Sequence, residues 1–217
     1  MQSFSVRFCE NNLTGFASAD KINLAFIYPK SSGKIPEGTA FLTWNDFGFS
    51  SRFEVNDVSL LAECERDMMP VWNDSCVEFF IKPANSIGHM CFEFNCIGIL
   101  YAAYIRDEKI VNGSFADSIL LSEDECKLVK RKSRLKGKIF PEKFGNQNWW
   151  IEFFIPFSLL EKYFGKFPQK VGDVFYGNFY KCGEKLSEPH WLAWNEISTL
   201  NFHVENNFGK LVLSDKK

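Results

Sequence analysis

The sequence lacks most of the features that identify a nucleic-acid-binding protein or a common enzyme. Its 25 Lys and Arg residues are balanced by 27 Asp and Glu, and the formal net charge of −2 offers no basic excess for a phosphate backbone. No GxSxG, HExxH or phosphate-cradling glycine loop occurs. Zinc-type Cys/His spacing and EF-type calcium loops are also missing. We therefore predict no nucleic-acid partner and no cofactor, although loops rich in Asp and Asn leave a structural calcium ion open.

Long apolar runs are missing as well. No stretch of transmembrane length is free of charges, and the N-terminal MQSFSVRFCENN lacks the basic region and apolar run of a signal peptide. The seven cysteines are an odd number, and Cys91 and Cys96 lie within an apolar run, where a thiol acts as a small hydrophobe. This usage favours a reducing compartment such as the cytoplasm. We expect no membrane partner and at most one disulfide.

Aromatic residues and short β-rich runs are what the sequence has in abundance. Phe alone accounts for 24 residues, and Gly, Pro, Asn, Asp and Ser clusters separate runs such as INLAFIY, SRFEV, CVEFFIK and WWIEFFIP. Many short strands without alternating helices predict an all-β, two-sheet antiparallel β-sandwich, jelly-roll-like, as a single domain over residues 1–217. One short helix is predicted near residues 157–164, with Ser158 and Glu161 at capping-box spacing and Gly165 at its end.

Strand parity predicts which side chains share a face of the sheet. Successive side chains of a strand point to opposite faces, so Glu93 and Asn95 lie opposite Phe92 and Phe94, and Glu78 lies opposite its apolar neighbours. A face that mixes carboxylate, amide and aromatic groups suits a sugar, whose hydroxyls need polar partners and whose C–H face packs on a ring. The same pattern also fits a face that is simply exposed to water.

Four segments carry a resemblance to a known family: PVWNDSCVEFFI, FEFNCIGILY, GNFYKCGEKLSEPHWLAW and NFHVENNFGKLVL. From about Ile22 to Leu213 the chain resembles the family 9 carbohydrate-binding modules, and most of all the single-domain family 9-like proteins of bacteria. The resemblance implies a non-catalytic β-sandwich that holds a terminal sugar of a glycan between two tryptophan rings. It also implies a role in polysaccharide utilisation and allows a periplasmic or extracellular location.

The resemblance also implies the site residues. Trp72 precedes Glu78 by the spacing of the family's first tryptophan and glutamate, which makes one a ring against the sugar and the other a hydroxyl acceptor. Trp194 matches the second ring, and Trp191 is the reserve candidate. The full set of carbohydrate-binding candidates is Trp72, Glu78, Glu93, Asn95, Lys181, Trp191 and Trp194.

Two of these candidates have less defined roles. Glu93 stands where the family pattern suggests a basic residue, and Lys181 has no assigned role. Asn95 matches a polar strand position from which an amide can reach the sugar, and Asp74 is expected to cap a turn.

Three other functions remain open at this stage. Glycoside hydrolysis needs two carboxylates, which Glu78 and Glu93 could supply. The chain could also be an interaction protein whose sugar site has decayed. A haem-binding sandwich could draw its axial ligands from Met68, Met69, His89 and His203.

Overall fold

The computed structural model describes residues 1–10, 16 and 19–215. Most of these residues form β-strands, and two short helices interrupt them, so the predicted all-β class is confirmed. The strands are β1 (Ser3–Phe8), β2 (Ile22–Asn23), β3 (Phe26–Ile27), β4 (Glu37–Asn45), β5 (Gly48–Ala62), β6 (Cys76–Pro83), β7 (His89–Asn95), β8 (Leu100–Val111), β9 (Ser114–Leu120), β10 (Lys130–Ser133), β11 (Ile139–Pro156), β12 (Val174–Gly183), β13 (His190–Ala193) and β14 (Gly209–Ser214). The helices are α1 (Glu123–Leu128) and α2 (Phe157–Phe164).

The strands form two facing layers that share one hydrogen-bonded order. The order is β10-β11-β5-β4-β1-β14-β12-β6-β7-β8-β9, with β13 paired to β12 and β3, and β2 paired to β4. Most neighbours are antiparallel, whereas β1 runs parallel to both β4 and β14 and so joins the two layers. We call β10-β11-β5-β4 the first sheet and β14-β12-β6-β7-β8-β9 the second sheet.

Phenylalanine rings fill the space between the two sheets. Phe53 on β5 lies 6.0 Å from Phe179 on β12, and Phe153 on β11 stacks 4.3 Å from Phe94 on β7. The first separation lies within the range of favourable aromatic pairs, and the second is a slightly closer stacked contact. The high Phe content is therefore largely explained by the core of the sandwich.

The outer face of the second sheet carries a second apolar cluster. Residues of opposite parity to the core phenylalanines, among them Phe80, Cys91 and Tyr180, pack there beneath loops that include Val71 and Phe202. A sheet face covered by loops in this way offers a depression into which side chains of several segments point. This face holds the candidate site.

The helices agree with the sequence in part. Helix α2 spans the predicted residues and ends at Gly165, whose φ of 70° is easy for glycine. The predicted capping box at Ser158 and Glu161 is wrong, because the helix begins after Pro156 without a side-chain cap. Helix α1 was not predicted, so the expectation of a single helix is corrected to two. Among the described residues, no helix is long and apolar enough to cross a membrane.

Candidate functional site

A cavity of about 240 Å³ opens at the outer face of the second sheet. Its walls combine aromatic rings with carboxyl groups from strands β6, β7, β8, β9 and β13 and from three loops. The lining residues are Trp72, Glu78, Glu93, Tyr101, Phe115, Glu184, Trp191, Leu200, Asn201, Phe202 and His203. Four of the seven candidates, Trp72, Glu78, Glu93 and Trp191, are brought together here.

Trp72 is held at the cavity by a short 3-10 helix. This helix spans Val71–Asn73, and the buried Val71 anchors it while the Trp72 ring stays half-exposed. The Trp72 carbonyl accepts a hydrogen bond from the Glu184 backbone at 3.0 Å. Its ring meets the edge of Tyr101 at 5.1 Å between centroids. These contacts hold the Trp72 ring in a fixed position at the side of the cavity.

The second tryptophan of the cavity is Trp191, and Trp194 lies elsewhere. Trp191 belongs to β13, where its indole nitrogen donates to the Glu184 carboxylate at 3.3 Å. Trp194 is 4% exposed and packs edge-on against Phe179 at 5.9 Å in the sandwich core. Successive side chains point to opposite faces, so Trp194, one residue beyond the end of β13, shares the inward face of Leu192. The expected pairing of Trp72 with Trp194 is therefore not what the structure shows.

Glu78 and Glu93 form the floor of the cavity. They lie directly opposite each other on β6 and β7, as parity predicted, and both are almost completely buried. Glu78 Oε1 accepts a hydrogen bond from the Cys182 thiol at 3.1 Å. Burial disfavours the charged form, which raises the pKa of Glu93 to about 8 and holds the pKa of Glu78 well above its usual range.

Asn95 supports the cavity without lining it. Its amide nitrogen donates to the Cys64 carbonyl at 3.0 Å and to the Asp74 carboxylate at 2.9 Å, and its oxygen accepts from the Ile99 backbone. Asp74 also accepts from the Cys64 backbone, so it fixes the loop, as expected of a capping residue. The hydrogen-bonding groups of Asn95 are occupied by the protein itself. The structure does not place this amide against a ligand.

Lys181 faces the sandwich core instead of the cavity. It shares the parity of Phe179, is fully buried and lies 3.2 Å from the Asp57 carboxylate. Its ammonium nitrogen is also 2.7 Å from His190 Nε2. Burial and this ammonium lower the pKa of His190 to about 2, which leaves its ring neutral. Lys181 is therefore paired with the Asp57 carboxylate inside the sandwich and does not line the cavity with the carbohydrate-binding candidates.

Two thiols and a carboxyl meet beneath the cavity. The ligand atoms of Cys76, Glu78 and Cys182 all lie within 4.8 Å of one another. This donor set would suit a thiophilic cation such as Zn²⁺ better than calcium. Burial raises the pKa of all three groups and so favours the protons that a cation would have to displace. We therefore assign the cluster to hydrogen bonding, with the Cys182 thiol as donor to Glu78.

The two histidines among the possible haem ligands, His89 and His203, do not form a pair of axial positions. Both ring nitrogens of His89 are engaged, one 3.2 Å from Glu205 and the other 3.1 Å from His203. The Met68 sulfur accepts a hydrogen bond from the Cys126 thiol at 3.6 Å. The two histidines touch each other directly, so they leave no room for a macrocycle between them.

Sequence reasoning missed several residues of the cavity. Tyr101 lies opposite Glu93 on β8, and pairing with a predicted outward strand could have revealed it. Glu184, Phe115 and His203 come from separate segments, and nothing in the local sequence indicates that they converge.

The model of the family described as Carbohydrate-binding family 9 matches residues 11–213. The chain belongs to carbohydrate-binding family 9. The match confirms the resemblance to family 9 seen in the sequence and extends over nearly the whole chain. No protein with a curated description matches the chain.

Solved structures of family 9 modules share the fold. A candidate carbohydrate-binding protein from Bacteroides uniformis ATCC 8492 superposes with a TM-score of 0.83 at 29% identity, covering 98% of this chain and 99% of its own. A family 9 module from Caldicellulosiruptor kristjanssonii was solved with glucose and with cellotriose, each at a TM-score of 0.66 and 12% identity. These matches cover 100% of this chain and 97% and 95% of the module chains. At such identity the modules show the shared β-sandwich.

Proposed function

We propose that the cavity binds a terminal sugar residue of a glycan between Trp72 and Trp191, without cleaving it. The observation that carries the proposal is the convergence of these two half-exposed rings over the buried Glu78 and Glu93. Membership of family 9 and the complexes of related modules with glucose and cellotriose support the ligand class.

The size of the cavity favours one sugar residue over an extended chain. Small-molecule sites usually begin at roughly 300 Å³, and this cavity encloses about 240 Å³. A single pyranose ring fits such a volume, while the rest of a glycan stays outside the rim. Recognition of a chain end follows from this limit.

The rings should supply most of the affinity. Stacking a sugar face on tryptophan removes apolar area from water, which contributes about 25 cal/mol per Å². Each sugar hydroxyl exchanges water for protein and gains only about 0.5–1.5 kcal/mol. The carboxyl floor should therefore decide which sugar binds rather than how tightly sugars bind in general.

The floor is poorly suited to hydrolysis. A retaining glycosidase needs one ionised carboxylate as nucleophile beside a protonated acid. Burial favours the protonated form of both Glu78 and Glu93, so the pair lacks the ionised partner. We expect no new reducing ends when the protein is incubated with oligosaccharides that it binds, and release of sugar would contradict a purely binding role.

Calorimetry with a panel of mono- and disaccharides tests the site. We expect Trp72→Ala and Trp191→Ala to abolish measurable binding, because each removes one ring from the sugar. Trp150→Ala is the matched control, since Trp150 is a half-exposed tryptophan beneath Arg52 on the first sheet. The control should bind like the parent. If both cavity variants bind sugar like the parent, the proposed site is wrong.

A further inference from the structure

The charges around the cavity are of one sign. Three carboxyl groups line it, from Glu78, Glu93 and Glu184, and none of the described lining residues is Lys or Arg. His203 adds no positive charge, because burial and the neighbouring His89 hold its pKa well below the usual range. The potential inside the cavity is therefore neutral to negative. A ligand that carries a positive charge is favoured there.

The two floor carboxyls have no cationic partner of their own. The described residues give Glu78 a thiol donor from Cys182 and Glu93 a thiol donor from Cys91, and they place Glu93 opposite Glu78 and Tyr101. Buried carboxyls in proteins are normally paired or strongly hydrogen-bonded. Elsewhere in this chain that rule holds, since the buried Asp57 lies against the Lys181 ammonium. Among the described residues, the cavity floor has weak thiol donors but no cation against its carboxyls.

Aromatic rings surround the same carboxyls. Trp72 and Tyr101 meet edge to face at 5.1 Å, and Trp191 and Phe115 line the same cavity. Ring faces attract cations, and tryptophan does so most strongly. An ammonium group can then donate three hydrogen bonds to the carboxyls while the rings cover the apolar part of the same ligand.

We infer that the preferred ligand is a terminal amino sugar with a free, protonated amine, placed with its ammonium on Glu78 and Glu93 and its ring between the tryptophans. This inference rests on the proposed function and names the class of sugar. A neutral sugar offers the floor carboxyls no charged partner, and an N-acetylated amine would bring a bulky neutral amide to the same place.

Binding of the amine should be coupled to proton release from the floor. Burial raises the pKa of Glu93 to about 8, so part of the pair must lose a proton when the ammonium arrives. Affinity for the amino sugar should therefore rise with pH from 5 to 7, while affinity for glucose should not. The titratable and charged groups that pack on this face are Tyr28, Cys64, Cys76, Glu78, Lys82, His89, Cys91, Glu93, Tyr101, Tyr176, Tyr180, Cys182, Glu184, His203 and Glu205.

Calorimetry of the intact chain at pH 7 tests the inference with four probes: glucosamine, glucose, N-acetylglucosamine and ethanolamine. We expect glucosamine to bind at least about tenfold more tightly than glucose or N-acetylglucosamine, because a hydrogen bond between charged groups is roughly twice as strong as a neutral one. Ethanolamine presents the ammonium without the sugar ring and should bind much more weakly than glucosamine.

Single substitutions test whether the floor carboxyls cause the preference for glucosamine over glucose. Glu93→Gln keeps the shape of the side chain but cannot become anionic, so the ratio of glucosamine to glucose affinity should fall close to one. Glu196→Gln, an exposed carboxyl outside the cavity, should keep the parent ratio. If Glu93→Gln does not fold, Glu184→Gln at the exposed rim should still lower the ratio.

The outcomes separate this inference from the proposed function. Equal or tighter binding of glucose overturns the amino-sugar preference and leaves the sugar site intact. Ethanolamine binding as tightly as glucosamine also overturns it, because the cavity would then recognise a cation alone. Failure of every sugar on the panel to bind would reject the proposed function itself.

Discussion

At the scale of single residues, Trp191 on β13 and Trp194, one residue beyond its end, point to opposite faces of the second sheet. Trp194 packs against Phe179 and lies over Gly209, where an added Cβ would come within 2.3 Å of the indole ring. The glycine thus makes room for the ring inside the core. Trp191, on the other face, stays half-exposed at the cavity.

We expect Trp194→Ala to lower the free energy of unfolding by about 3–5 kcal/mol, the usual cost of truncating a large buried aromatic ring. Urea unfolding followed by fluorescence measures this loss. Trp150→Ala, which removes a half-exposed ring, should cost far less. If Trp194→Ala unfolds like the parent but no longer binds sugar, then Trp194 rather than Trp191 is the ring that contacts the ligand.

Parity predicted much of the site at this scale, and its limits have physical reasons. It placed Glu78 and Glu93 side by side correctly. The apolar Leu192 could have indicated that Trp194 points inward, and the parity of Phe179 could have done the same for Lys181. Asn95 has the parity of Glu93, but it lies at the end of β7, where the following loop uses its amide. Parity carries no information about such loop contacts.

At the scale of elements, the β6–β7 pair sets the electrostatics of the cavity. Two ionised carboxylates directly opposite each other on adjacent strands would repel. Burial beneath the aromatic rings adds a larger cost to ionising either one. The folded chain therefore retains protons on this pair at pH values where the unfolded chain has lost them.

We predict that this pair makes stability fall as the pH rises. The pKa of Glu93 is about 8 in the folded chain, against about 4.3 for an ordinary Glu. Between these values the folded state binds more protons, so the free energy of unfolding declines by up to about 1.4 kcal/mol per pH unit and levels off above the folded pKa. Urea midpoints from pH 5 to 9 measure the slope.

Glu93→Gln should flatten that slope and gain most over the parent above pH 8, where the parent's loss is complete, because an amide cannot ionise. Glu196→Gln, exposed and outside the cavity, should keep the parent's slope. A Glu93→Gln curve parallel to the parent's would show that another group causes the dependence.

Helix α1 was missed although its capping signal stands in the sequence. The Ser122 hydroxyl accepts from the Glu125 backbone, and the Glu125 carboxylate accepts from the Ser122 backbone at 2.8 Å. Lys162 and Tyr163 of α2 also contact Glu125, which holds the two helices together. A helix of six residues is too short to establish an apolar period, so only the cap could have revealed it.

Replacing Ser122 by Ala should destabilise the protein by about 1 kcal/mol, because it removes the acceptor for the Glu125 backbone. Ser158→Ala is the matched control, since Ser158 lies near the start of α2 and makes no capping hydrogen bond. Thermal unfolding of both variants compares them directly. Equal losses would mean that the Ser122 cap contributes nothing.

At the scale of the whole molecule, the sandwich could be predicted and the assembly of its cavity could not. Alternating apolar runs and turn residues are local signals, and they carried the fold class. The cavity joins Trp72, Glu93, Phe115, Glu184 and His203 from segments far apart in the chain. Their convergence depends on how loops cross the outer face of the second sheet, which no local pattern encodes. For Trp191 too, the decisive feature is a contact between distant segments, since its indole nitrogen donates a hydrogen bond to Glu184 in the loop after β12.

The reactivity of the cysteines depends on the whole fold, because most of their thiols are buried in it. None of the seven forms a disulfide, six are buried, and only Cys9 is half-exposed. A thiol reacts through its thiolate, so burial both blocks the reagent and, as for Cys76 with its pKa raised to about 12, removes the reactive form.

A thiol reagent should therefore modify about one cysteine quickly in the native protein and all seven under denaturing, non-reducing conditions. Cys9→Ser should remove the fast phase and leave six slow thiols. Six blocked thiols in the denatured protein would contradict the reduced state and indicate three disulfides instead.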